Sequence, residues 1–266
     1  MLEIEKLFAG YGYGDIIKGI SFKLERGENL CILGPNGCGK TTLLKTIARI
    51  IQYRGKITME GADIASHSRK ELAKKIALLS QSSQVYFPYT VYETVSLGRY
   101  AYAEGFLKNL SDNDKTIIEE NLKNLDIWSI KDRVIDELSG GQLQRVFLTQ
   151  TLVQDPELIL LDEPTNHLDL KHQVELLEYL SRWAKENNRA IIAVLHDLNL
   201  ALRFADSAAL MKDGELVSYG SCDSVFSRPA GAAGQTLEEV YGIDIRAFML
   251  ESLEKWRGIQ KSNFTP

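Results

Sequence analysis

The stretch Asn29-Leu30-Cys31-Ile32-Leu33-Gly34-Pro35-Asn36-Gly37-Cys38-Gly39-Lys40-Thr41-Thr42 decides the reading of this chain. Its first part is a short apolar run, which suits a strand buried on both faces of a parallel sheet; the strand is expected over Glu28–Leu33. Its second part, GPNGCGKT, fits G-x-x-x-x-G-K-[ST], a loop that cradles phosphates. The glycines let successive backbone N–H groups turn inward as an anion nest. The helix that starts there points its positive dipole end at the same place. Lys40 supplies a point charge for the β- and γ-phosphates, and Thr41 offers a hydroxyl to Mg2+. A chance glycine-rich turn would not sit between a strand and a helix. Gly34, Pro35, Asn36, Gly37, Cys38, Gly39, Lys40, Thr41 and Thr42 are therefore expected to hold a nucleotide. Cys38 reads as a small residue whose backbone matters, in preference to a redox sensor.

Working outward, Leu43, Leu44, Ile47, Ile50 and Ile51 recur at helical spacing, which predicts a helix over Lys40–Ile51. Upstream, Leu2–Leu7 and Ile20–Leu24 read as strands, with Gly10, Gly12 and Gly14 in the turns between. Downstream, Thr90-Val91-Tyr92-Glu93 reads as a capping box that opens a helix. Ser111-Asp112-Asn113-Asp114 is a similar start, ahead of Ile117, Ile118, Leu122 and Leu125. Alternation then resumes: strand Leu158–Leu161, helix Val174–Trp183, strand Ala190–Leu195, helix Asn199–Phe204. Asp213-Gly214 signals a hairpin. The expected fold is α/β: a P-loop nucleoside-triphosphatase core with an N-terminal antiparallel β subdomain and an inserted α-helical subdomain. The core spans 1–84 and 155–222, the helical part 85–154, and an extension 223–266 completes one domain.

The bulk properties are those of an ordinary globular chain. The chain has 266 residues, 44% hydrophobic and 25% charged, with a formal net charge of -5. No basic surplus points to nucleic acid or to an anionic lipid surface. Cys31, Cys38 and Cys222 have no paired or metal-ligand spacing, which fits reduced thiols in a cytosol. Met1–Lys6 does not read as a signal peptide, and the longest apolar runs are too short to span a bilayer. Any action at a membrane is expected to go through a partner.

Leu158-Ile159-Leu160-Leu161-Asp162-Glu163 is the second chemical element. Four apolar residues make a central strand, and two carboxylates emerge at its carboxyl end, where ligands bind in open α/β sheets. Asp162 is expected to hold Mg2+ and Glu163 to orient and polarise the attacking water.

Leu138-Ser139-Gly140-Gly141-Gln142 is LSGGQ, which resembles the signature of the ATP-binding cassette (ABC) ATPases. With it come Gln81, Glu163-Pro164-Thr165-Asn166-His167-Leu168-Asp169, and His196 after the strand Ala190–Leu195. Their order and setting match that family over almost the whole chain. The resemblance implies a head-to-tail homodimer with two ATPs at the interface. In it Ser139, Gly140, Gly141 and Gln142 of one chain face the phosphate loop of the other. His196 would contact the γ-phosphate, Gln81 would touch Mg2+ or the water, and Asp169 would lie at the dimer seam. Tyr11, with Tyr13 as fallback, would stack on adenine. His167 and His172 read as a seam residue and a solvated helix residue, not as metal ligands. ATP would then join subunits that hydrolysis releases.

Phe87-Pro88-Tyr89-Thr90-Val91-Tyr92-Glu93-Thr94-Val95-Ser96-Leu97-Gly98-Arg99-Tyr100 is similar to a run in ABC ATPases that power bacterial import of iron-siderophores, haem and vitamin B12. So are Leu195–Ala201 and Val240-Tyr241-Gly242-Ile243. The continuation Ala101-Tyr102 departs from that group's common pattern and loosens any link to one substrate. The resemblance implies docking on two multi-span permease subunits at the cytoplasmic face of the membrane, fed by an extracytoplasmic substrate-binding protein. Five of the eleven tyrosines fall between Tyr86 and Tyr102, as an interface hot spot would use them; the competing reading is a local core. A soluble non-transport ABC ATPase and an exporter ATPase are the alternatives. One phosphate loop, one LSGGQ and no sustained heptads weigh against the first, and the TVYETVSLGRY run against the second.

Overall fold

The computed structural model describes residues 1–80, 88–102, 110–227 and 235–262, with 258–262 as backbone. The chain opens with β1 (Leu2–Ala9), β2 (Ile17–Leu24), β3 (Asn29–Leu33) and the helix α1 (Lys40–Ile47). Next come β4 (Tyr53–Met59), β5 (Ala62–Asp63), α2 (Arg69–Lys75) and β6 (Ile76–Leu79). A helical stretch follows: α3 (Val91–Ser96), α4 (Asp112–Asn124) and α5 (Gly140–Val153). Alternation resumes with β7 (Leu158–Asp162), α6 (Leu170–Glu186), β8 (Ala190–Val194), α7 (Leu198–Phe204), β9 (Ser207–Lys212) and β10 (Glu215–Ser221). Then come α8 (Cys222–Phe226), α9 (Leu237–Tyr241) and α10 (Ile245–Ser262).

Among the described residues these strands form two sheets. One is antiparallel, in the order β2-β1-β4-β5. The other runs β10-β9-β3-β8-β7-β6, parallel from β9 to β6, with β10 added antiparallel through the Asp213-Gly214 hairpin. β3, β7 and β8 are buried at every position, as strands covered on both faces must be. Their alternation divides the interior into two cores. Leu30 and Ile32 pack with α1 and the antiparallel sheet, while Cys31 and Leu33 pack with the helices on the other face.

Register sets the level at which the strands leave the sheet. Ile32 of β3 and Asp162 of β7 are both opposite Val194 of β8. The residues that follow, Gly34, Glu163 and His196, emerge side by side at the carboxyl edge.

The helical stretch has its own packing. Thr90 and Glu93 form the expected capping box at α3, and Ser111 and Asp114 form one at α4. Gly98 lies against α5, where a Cβ would sit 2.2 Å from the Gln150 carbonyl oxygen, so only glycine fits this approach. Arg99 turns inward: Nε donates to Asp114 Oδ1 at 2.7 Å and Nη1 to the Val153 carbonyl at 2.9 Å. The Tyr102 ring lies 3.8 Å from the Arg99 guanidinium carbon, and its hydroxyl donates to the Gln154 carbonyl. The sequence run ending in Leu-Gly-Arg-Tyr is thus partly a packing device.

Two helices differ from expectation. α1 stops at Ile47, not Ile51. Arg49 adopts a left-handed φ of 56°, Ile50 N–H closes on the Lys45 carbonyl, and the Arg49 guanidinium is tied to the Ile64 and His67 carbonyls. Ile50 is left exposed, and Ile51 is buried outside the helix. α6 starts at Leu170, before Val174, because the Asp169 side chain caps it by accepting from His172 N–H at 2.9 Å.

Burial pushes the Asp114 carboxyl up, but the Ser111 and Arg99 hydrogen bonds outweigh it and hold the group below its ordinary range. Its contribution is complete above the unfolded carboxylate's pKa and is lost as pH falls through the folded value. The pair's side chains are 5% and 8% exposed. Arg99→Ala, which removes the ion pair but leaves Asp114 its Ser111 bonds, should cost about 1.5–3 kcal/mol in a denaturant titration. A loss under about 1 kcal/mol, the range of exposed pairs, would contradict this assignment.

Candidate nucleotide site

The site begins where β3 ends. Gly34 has φ +143°, and a Cβ there would lie 2.3 Å from the Met211 carbonyl oxygen and 2.9 Å from Cys38 Sγ. No other residue fits that turn. The loop then delivers α1, whose first turn has neither an acidic residue nor a side-chain cap. Its leading N–H groups are therefore left for an anion. The Lys40 side chain is almost fully buried, and Nζ donates to the Gly34 and Pro35 carbonyls at 2.7 and 2.9 Å. A cavity of about 440 Å3 opens here, lined by Ile16, Asn36, Lys40, Thr41, Glu163 and His196 among others.

The carboxylates sit as the strand register requires. Thr41 Oγ1 donates to Asp162 Oδ1 at 3.1 Å, so hydroxyl and carboxylate present adjoining oxygens. Burial pushes the Asp162 carboxyl above its ordinary value despite that bond. A buried carboxylate beside a hydroxyl is a hard, all-oxygen donor pair of the kind Mg2+ takes. Glu163 leaves β7 with φ 57° and donates its N–H to the Val194 carbonyl. His196 Nε2 is 2.6 Å from Glu163 Oε1, and Asn166 Nδ2 donates to Oε2 at 2.5 Å. A carboxylate only accepts, so His196 presents its Nε2–H. Burial raises the Glu163 pKa, but the His196 and Asn166 bonds prevail, and the carboxyl lies below its ordinary value. The two bonds thus favour the ionised form, the one able to accept a proton.

Lys40, Thr41, Asp162, Glu163 and His196 are brought together. Other expected residues lie around them. Ser139 is exposed and caps α5 in a box with Gln142. Gly140 and Gly141 lie against His167 and Leu168, on the loop that follows Glu163. Gln144 Nε2 donates to the Pro164 carbonyl of the same loop. Asp169 is exposed beside the exposed Leu170, and its carboxylate is 2.8 Å from His172 Nδ1. Tyr11 and Tyr13 are exposed on the loop ahead of Ile16. Gln81, with Tyr86 and Phe87, lies outside the described residues. Cys38 is buried, and its thiol is pushed up by burial in spite of Lys40, which suits the backbone role and not a thiolate. Among the described residues no group of three or more His, Cys, Asp or Glu is placed to hold a metal ion. Asn166 is a site residue that the sequence motifs leave without a role, although its i+3 spacing from Glu163 is a signal for one.

Residues 17–166 match the family model described as ABC transporter. The chain belongs to the ABC transporter family. It is 39% identical over 244 residues to the iron(3+)-hydroxamate import ATP-binding protein FhuC of Bacillus subtilis, covering 91% of this chain and 88% of that one. It is 35% identical over 246 residues to the petrobactin import ATP-binding protein YclP of the same organism, covering 92% and 94%. Its fold matches a dimeric ATP-binding cassette in a post-hydrolysis state bound to ADP and Pi, with TM-score 0.74, 27% identity and coverage of 84% and 99%. The α/β class and the family resemblance read from the sequence are both confirmed, and the chain is an ATPase of this family. Among the described residues no helix is long and apolar enough to cross a membrane.

Replacing both His196 and Asn166 by alanine removes the two bonds that lower the Glu163 pKa and leaves burial opposed by the Lys40 charge. The Glu163 carboxyl midpoint, followed by 13C NMR across a pH titration, should move upward from the wild-type value. A midpoint that stays in place would show that the two bonds do not set it.

Proposed function

We propose that this chain is the ATP-hydrolysing subunit of a bacterial ABC importer for an iron-siderophore, haem, cobalamin or a related metal chelate. The enzymatic part is carried by one observation: the Glu163 carboxylate is clamped by His196 and Asn166 next to the loop that holds Lys40. In this reading the amides of Asn36–Thr42 and the Lys40 ammonium neutralise the β- and γ-phosphates. Thr41 and Asp162 hold Mg2+, which when bound draws charge from the phosphate oxygens. Glu163 takes the proton of a water whose oxygen attacks the γ-phosphorus. The bond from that phosphorus to the bridging oxygen breaks, leaving ADP and phosphate. His196 keeps Glu163 aimed and favours its ionised form, and Gln81 would contact the metal or the water, as the family resemblance implies.

The second half of the site comes from a second copy. Ser139, Gly140, His167, Asp169 and Leu170 are all exposed around the loop that follows Glu163, which supports their use as a seam between chains. The α5 N-terminus would then clamp the γ-phosphate held by the partner. ATP contacts both chains only in the closed dimer, so it shifts the population toward closure, and hydrolysis returns it.

Import is supported by the relatives, which are import ATP-binding proteins for ferric hydroxamate and petrobactin, and by the run from Phe87 to Tyr100. Within that stretch Tyr92 packs on the core, while Tyr89, Leu97 and Tyr100 are exposed and suit docking on two permease subunits. A substrate-binding protein on the far side would supply the chelate. The chain itself would sit at the cytoplasmic face, held through the permease, with Tyr11 stacked on adenine.

Glu163→Gln should keep ATP binding, cut turnover by about a thousandfold or more and accumulate an ATP-bound dimer on size-exclusion chromatography with light scattering. The tagged variant should bring a multi-span partner from solubilised membranes in a two-to-two complex. Wild-type phosphate release by this variant would remove Glu163 as the base, and recovery of the dimer without a membrane partner would remove the transport reading.

A further inference from the structure

Val240-Tyr241-Gly242-Ile243 has no task in the reaction described above. Tyr241 ends α9, which is fixed by a capping box between Thr236 and Glu239 and by the buried Leu237 and Val240. From there the Tyr241 hydroxyl accepts a hydrogen bond from the Gly34 N–H at 3.0 Å, across 207 residues of sequence. Gly34 is buried, and its carbonyl accepts from Lys40 Nζ at 2.7 Å. The two peptide groups that meet at the Gly34 Cα are thus each held by a side chain, one by Tyr241 and the other by Lys40. Met211 closes the remaining side, where a Cβ would come within 2.3 Å of its carbonyl oxygen. Burial pushes the phenol pKa up, so the group stays a neutral hydroxyl.

We propose that Tyr241 is a positioning residue for the phosphate loop, through which the C-terminal extension sets the orientation of Gly34 and so the reach of Lys40 toward the phosphates. A buried N–H without a partner is costly, so loss of the hydroxyl drives the peptide between Leu33 and Gly34 to rotate toward another acceptor. Gly34 has no side chain to resist that rotation, and one Cα further on lies the carbonyl that holds Lys40. The disturbance therefore arrives at the catalytic cation and not merely at the tail. Tyr241 itself acts through Gly34 and Lys40 and does not touch the nucleotide.

The inference rests on Gly34–Thr42 being the nucleotide loop, which Lys40→Ala tests separately by loss of ATP binding. Tyr241→Phe in the full chain tests the strut, because it removes one oxygen and keeps the packed ring. Amide hydrogen exchange of the peptide Leu33–Thr41, read without nucleotide, should quicken by about tenfold while β8 stays protected. The KM for ATP should rise by about tenfold with kcat within about twofold. Ile57→Val, a buried position in β4 away from α9, should lower the melting temperature and leave the KM near wild type. Wild-type exchange and KM in Tyr241→Phe would overturn the proposal, as would an equal rise in KM from Ile57→Val. The exchange arm needs no ATP, so a failed strut and a misassigned loop give different results.

Discussion

The site depends on three parallel strands that reach the same level at Val194. Ile32 and Asp162 pair with that residue from opposite sides, so the phosphate loop, Glu163 and His196 leave the sheet together. Backbone hydrogen bonding fixes this before any side chain takes part. A one-residue slip of β7 would turn Asp162 and Glu163 each to the other face and break the contact between Glu163 and His196. Burial of β3, β7 and β8 on both faces makes such a slip expensive, since every residue of each strand is packed.

On this frame neighbouring groups are tuned in opposite directions. Asp162 is driven toward neutrality by burial, a condition that a bound cation would reverse. One residue on, two hydrogen bonds outweigh the burial of Glu163 and favour its ionised form. The difference comes from His196 beyond β8 and from the loop Glu163–Leu168, which supplies Asn166 and also receives Gly140, Gly141 and Gln144 from the start of α5. Movement of the helical stretch would therefore be felt at Glu163.

Much of this was legible in the sequence because it is local. The phosphate loop, the acidic strand end and both capping boxes are written within a few residues each. The length of α1 was not, because Arg49 is drawn away by the Ile64 and His67 carbonyls, which lie about fifteen residues on in the chain. The start of α6 was missed because Asp169 reads as a site residue, while its carboxylate also caps a helix. The roles of Arg99 and Tyr241 were hidden by distance: their partners lie 15 and 207 residues away, and no periodicity connects them. Arg99 lies in the run Phe87–Tyr100 that resembles importer ATPases, and it is an interior ion pair with Asp114.

In the proposed function each phosphate loop of this chain is completed by the Ser139 end of α5 from a second copy. The measurement that meets it most directly is ATPase activity per chain as a function of protein concentration, for the wild type and for Ser139→Arg. Activity per chain should rise with concentration in the wild type and stay near zero in the variant. Activity that is constant per chain down to monomer concentrations, and untouched by Ser139→Arg, would contradict the shared site.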